Sequence, residues 1–113
     1  MVTIIFNEKE YNLATTLRVA YMVQGQHNHK PYTEVFQQIG NMTLEDQIAI
    51  LYAAFTCANK DEAKFITRQN FLDYYLDNYT LSDVMSQLQA VIEGITGQTL
   101  NDAEESKETS QGN

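Results

Sequence analysis

Thr43-Leu-Glu-Asp-Gln-Ile-Ala-Ile-Leu-Tyr-Ala-Ala-Phe-Thr-Cys-Ala58 is the stretch on which the fold turns. Thr43 stands three residues before Asp46, a variant of the capping box in which a hydroxyl and a side-chain acceptor satisfy the first free N–H groups of a helix. Leu44, Ile48, Leu51 and Phe55 then recur at helical spacing and form one stripe. Ile50, Ala53 and Cys57 lie on the other side. A helix apolar on both sides is buried on both. The segment is therefore expected to be the central helix of a bundle, or else to offer its second face to a partner.

The same device recurs downstream. Thr67-Arg-Gln-Asn70 and Thr80-Leu-Ser-Asp83 repeat the Thr-to-acceptor spacing, predicting helices over 68–78 and 81–96, with Gly97 as the last C-cap. In the final helix Leu81, Val84, Met85, Leu88, Val91, Ile92 and Ile95 fall within an arc of roughly 120°, the mark of one buried face. Upstream, Thr15 or Thr16 is expected to cap a helix that carries Leu17, Ala20 and Tyr21 inward and stops at Gly25. Pro31 is expected to open another, ending at Gly40. Val2–Phe6 and Glu10–Leu13 read as strands of a hairpin around Asn7-Glu8-Lys9. An isolated hairpin is marginal in water, so this one must lie on the helices.

The expectation is a mainly α (α+β) domain over 1–100: an N-terminal β-hairpin packed on a bundle of about five helices. Residues 101–113 hold four acids and one lysine with little apolar surface, which predicts an acidic, disordered tail. At 113 residues there is room for a single domain.

Charge narrows the function classes. Seven Lys and Arg against fifteen Asp and Glu give a net charge of −8. Phosphate backbones and anionic membranes call for clustered cations. The nearest cluster here, Lys60, Lys64 and Arg68, is interrupted by Asp61 and Glu62. No nucleic-acid or membrane partner is expected. The N-terminus lacks the basic region of a signal peptide, no run approaches a membrane span, and the lone Cys57 has no internal disulfide partner. A soluble cytoplasmic protein is the expectation.

The candidates for chemistry are few. Asn59–Asn70 can be aligned with a calcium loop, with Asp61 third and Ile66 eighth. Ala63, Lys64 and Asn70 then occupy the positions that want a ligand, a glycine and a bidentate Glu. His27 and His29 offer two imidazoles where zinc wants three or four ligands. Cys57 has no basic neighbour in sequence to activate it. Adjacent acid pairs such as Glu45-Asp46 point to different faces of a helix. We therefore expect no enzyme, no metal and no cofactor. Tyr21, Tyr52, Tyr75 and Tyr79 sit on apolar stripes and are expected in the core, whereas Tyr74 points away and is the aromatic contact candidate. The expected partner-binding residues are Ile50, Ala53, Cys57, Tyr74, Leu88 and Ile92.

One resemblance adds to this. The hairpin Val2-Thr-Ile-Ile-Phe-Asn-Glu-Lys-Glu-Tyr-Asn-Leu13 is followed by Leu17-Arg-Val-Ala-Tyr21 and Lys30-Pro-Tyr-Thr-Glu-Val-Phe36. The 43–55 helix start and the helix Leu81–Ile95 complete the order. Over about residues 2–97 this pattern of apolar positions and caps resembles the tail assembly chaperones of long-tailed (siphovirus-type) bacteriophages and prophages. The resemblance implies a non-enzymatic assembly factor, made in the cytoplasm of the bacterial host and absent from the mature virion. It implies a tape measure protein as partner, kept soluble while tail tube subunits polymerise around it. The tail tube protein would be met through a longer, frameshifted form. Self-association is left open. The alternative is a small helical adaptor, or a degenerate EF-hand-like regulatory protein that binds no calcium.

Overall fold

The computed structural model describes residues 2–97. The expected acidic tail at 101–113 lies outside the described residues. Within them the order is hairpin first, then five helices, as the sequence predicts.

Strand β1 (Val2–Phe6) pairs antiparallel with β2 (Lys9–Leu13), Phe6 opposite Lys9 and Val2 opposite Leu13. The turn is thus Asn7-Glu8, one residue shorter than expected. Both residues have positive φ, 51° and 68°. Positive φ at both central positions is the signature of the type I′ turn, whose twist matches that of the strands. Alternation sends Ile4, Phe6 and Leu13 into the core and leaves Thr3 and Ile5 outside.

Helix α1 (Leu17–Gln26) runs past Gly25, the expected stop, and Gly25 keeps a right-handed conformation. The chain reverses instead at Asn28 and His29, both at positive φ, where the His29 N–H donates to the Gln24 carbonyl at 2.7 Å. Pro31 sits just before α2 (Tyr32–Gln37) as its cap rather than as its first helical residue. A short 3₁₀ turn, Ile39–Asn41, completes the segment that was expected to be helical up to Gly40.

The three remaining helices, α3 (Leu44–Ala58), α4 (Arg68–Asn78) and α5 (Leu81–Thr96), have the expected bounds. Each begins at its threonine. Thr43 accepts from the Asp46 N–H, Thr67 from that of Asn70 and Thr80 from that of Asp83. Among the described residues only Asp83 returns the bond, to the Thr80 N–H at 2.9 Å, so only α5 has the full box. Gly97 ends α5 at φ 81°, a left-handed position that glycine reaches without steric cost.

Helix α3 is the hub, packed against β2, α1, α4 and α5. Its Ile48, Leu51 and Phe55 are buried, and so are Ile50, Ala53 and Ala54 on the other side. The central-helix alternative is therefore the structure's answer, because neighbours cover both faces. Burying each large aliphatic or aromatic side chain of this set contributes about 1.5–3 kcal/mol. Gln47, a buried polar side chain on α3, satisfies its amide by donating to the Ile39 carbonyl at 2.8 Å.

The hairpin is sewn onto this bundle at its backbone edges. The Tyr79 hydroxyl meets both the N–H and the C=O of Ile5, and the Asn59 amide donates to the Asn12 carbonyl at 2.8 Å. The Ala14 N–H donates to the Ala54 carbonyl of α3. Beneath the sheet Phe6 stacks at 6.0 Å on Phe71, which in turn meets Phe55 and Tyr75. At the far end of α5 the backbone of Gly94 closes on Thr15: a Cβ there would stand 2.6 Å from the Thr15 Cβ.

Candidate docking surface

Helix α1 carries apolar side chains on opposite sides. Val19, Ala20 and Val23 turn inward and are buried. Leu17 and Tyr21 stand two residues out of phase with the valines, and are 76% and 67% exposed. This corrects the expectation that they belong to the core. Two rows with the same four-residue spacing compete on this helix, and packing on α3 selects the one with the small and branched side chains. What remains outside is an apolar ridge one turn long, Leu17 over Tyr21.

Beside the ridge lies a furrow. Thr16, Arg18 and Met22 from the α1 side face Thr56, Cys57 and Lys60 at the end of α3, enclosing about 340 Å³. Thr16 and Arg18 also belong to the shelf formed with Leu17 and Tyr21, so ridge and furrow are continuous. The floor is soft and apolar, with the Cys57 thiol donating to Met22 Sδ at 3.3 Å. Burial pushes the Cys57 thiol pKa up, while Arg18 and Lys60 pull it partway back. Both cations are thus near enough to act on its charge. The Arg18 guanidinium also lies 5.8 Å from the Tyr21 ring centroid.

The expected partner-binding residues fare unevenly. Ile50, Ala53, Leu88 and Ile92 are buried in the core, where α3 packs against β2, α1, α4 and α5. They are corrected to core. Cys57 is half-buried and lines the furrow. Tyr74 is also half-buried: its ring packs 4.5 Å from Phe6 and 6.1 Å from Tyr79, so it serves the hairpin contact rather than standing free. Its outer side lines a second cleft of about 320 Å³ with Phe65, Asp73 and Asp77. Of the tyrosines expected in the core, Tyr75 is buried, while Tyr52 and Tyr79 are half-buried. Leu81 and Met85, the first members of the α5 stripe, are 66% and 40% exposed. Leu17 and Tyr21 were missed as surface residues, although the rival row Val19–Val23 was visible in the sequence.

The loop aligned with a calcium site has structural employment. Asn59, its first position, donates to two carbonyls, Asn12 and Phe55. Its middle is a 3₁₀ turn, Glu62–Lys64, in which Lys64 lies 3.9 Å from Asp61. Among the described residues no group of three His, Cys, Asp or Glu side chains is placed to hold a metal ion. No helix among them is long and apolar enough to cross a membrane.

The fold thus presents a hairpin-capped helical domain in which an apolar ridge on α1 adjoins a furrow, lined by Arg18 and Lys60, between α1 and the end of α3. Comparison with protein-family models, curated proteins and solved structures returned no match.

Proposed function

We propose that this chain is a non-enzymatic binding protein that shields a long helical partner, in the manner of the phage tail assembly chaperones its sequence resembles. The partner on this reading is the tape measure protein, bound in the cytoplasm of a bacterial host while tail tube subunits assemble around it. The observation that carries the proposal is the Leu17–Tyr21 ridge: two large apolar side chains, one helical turn apart, held in water by helix α1. Such a ridge is costly to solvate and suits the apolar stripe of a second helix. The net charge of −8 supports the same reading, since self-repulsion keeps a protein with exposed apolar surface dispersed.

The test is co-expression with the product of the long, coiled-coil-rich gene expected downstream. The proposal predicts that this product stays in the soluble fraction only when the present chain is made alongside it, and that the two co-purify. A long product equally insoluble with and without the chain would sink the proposal.

A further inference from the structure

We infer that the furrow beside Leu17 and Tyr21 selects its occupant by charge, taking an amphipathic helix whose apolar row is flanked by a carboxylate. The inference rests on the binding function proposed above and adds the chemistry of the segment bound. Its basis is where this acidic protein places its few cations. Of seven Lys and Arg, Arg18 and Lys60 line the same furrow as Cys57, and the charges of both act on its thiol. The ion pairs among the described residues, Lys30–Glu34 and Lys64–Asp61, use neither of them.

That placement constrains what can lie there. A partner covering Leu17 and Tyr21 must also cover Arg18, which belongs to both the ridge shelf and the furrow. A charge taken out of water without a counter-charge is strongly unfavourable. A purely apolar stripe would therefore be repelled by the surface that the ridge makes attractive. A carboxylate one turn from the apolar anchors removes the penalty by entering between Arg18 and Lys60, and Arg can hold it with two parallel N–H bonds. The geometry favours a helix because the furrow runs between α1 and the end of α3, and side-chain ridges of one helix fit grooves of another. The Met22–Cys57 floor is polarizable and adapts to different apolar side chains. That suits a partner presenting many similar but unequal stripes.

Two synthetic helical peptides test this on the full chain. Both carry leucines at i, i+3, i+4 and i+7; one has glutamates flanking the row, the other lysines. Amide shifts of the labelled protein report the site, and alkylation of Cys57 reports whether the furrow is covered. The expected result is about tenfold tighter binding of the glutamate peptide at low salt. Shifts should be concentrated at residues 16–22 and 56–60, with slowed Cys57 alkylation. In Arg18→Glu/Lys60→Glu the preference should invert, which a merely structural effect would not produce. Equal affinity for both peptides, or shifts centred elsewhere, overturns the inference. So does binding that appears only after residues 98–113 are removed, since the chain's own acidic segment would then be the occupant. A concentration-dependent dimer abolished by Leu17→Asp likewise overturns it in favour of a second copy. If co-expression succeeds while the peptides are not discriminated, the chaperone proposal stands and only the charge selection falls. Discrimination without solubilisation leaves the reverse.

Discussion

The Tyr79 hydroxyl closes both outward-facing backbone groups of Ile5: it accepts from the N–H at 3.0 Å and donates to the C=O at 2.6 Å. A side chain seventy-four residues away thus does for β1 what a third strand would do. It also blunts an edge that could otherwise pair with another chain. Burial raises the pKa of that hydroxyl, and its bond to Ile5 partly offsets the shift.

Tyr79→Phe should therefore loosen the hairpin without unfolding the bundle. Each hydrogen bond contributes about 0.5–1.5 kcal/mol net, and water can reach Ile5, so a loss of about 1 kcal/mol is expected. Urea unfolding measures it, and hydrogen exchange should show faster amides in residues 2–13 than in α3. An unchanged unfolding midpoint would mean that water replaces the hydroxyl fully.

In the turn of the hairpin, Glu8 occupies a left-handed position, φ 68°, where a side chain is disfavoured. Glu8→Gly should raise stability by about 0.5–1 kcal/mol, since Asn-Gly is the favoured type I′ pair. A lower urea midpoint for this variant would show that the Glu8 side chain makes a compensating contact.

Gly94 makes the opposite case. A helix interior ordinarily gains about 1 kcal/mol from Gly→Ala, but here the new Cβ would meet the Thr15 Cβ at 2.6 Å. Gly94→Ala should destabilise by about 1–3 kcal/mol as the helix is pushed off the corner. Thr15→Gly added to it should recover much of that loss, a coupling that a double-mutant cycle reads directly.

How far the sequence announces this fold depends on whether the signal is local. Helices α3, α4 and α5 are legible to the residue because Thr43, Thr67 and Thr80 each satisfy a helix N-terminus from within four residues. The two apolar faces of α3 were legible as well, but periodicity left open whether the second met a partner or the bundle, and the packing of α1, α4, α5 and β2 around it decides for the bundle. Gly25 misleads because glycine is tolerated inside a helix; the chain reverses instead at the left-handed pair Asn28-His29, residue types that reach positive φ more readily than most. The face of α1 could not be read from periodicity. Leu17–Tyr21 and Val19–Val23 repeat identically, and the choice between them comes from α3, a tertiary partner. The candidate docking surface is made of the residues that lost this contest, so it became visible only with the fold.

Alkaline pH should expose the buried tyrosine. Tyr75 is 1% exposed, and its pKa is held far above the usual 10.0, chiefly by burial, with Tyr79, Asp83 and Tyr74 adding repulsion. Below about pH 10 both folded and unfolded chains keep the proton, and the stability is intact. Above it the unfolded chain releases the proton while the folded one retains it, so stability should fall by up to about 1.4 kcal/mol per pH unit from this group. Urea midpoints between pH 9 and 11 measure the slope. Tyr75→Phe, which also loses the bond to Gln87, should start lower but decline less steeply.

The exposed ridge on α1, and not the buried second face of α3, is the proposed seat of the helical partner. Co-expression of the long tape measure product with Leu17→Asp/Tyr21→Asp is the direct measurement, with circular dichroism run on the same variant. Native helicity and an unchanged melting transition are expected, together with loss of the partner from the soluble fraction. Ile50→Asp, by contrast, should unfold the protein by burying a charge. A folded Leu17→Asp/Tyr21→Asp protein that keeps the partner as soluble as the wild type does would exclude the ridge as the binding site.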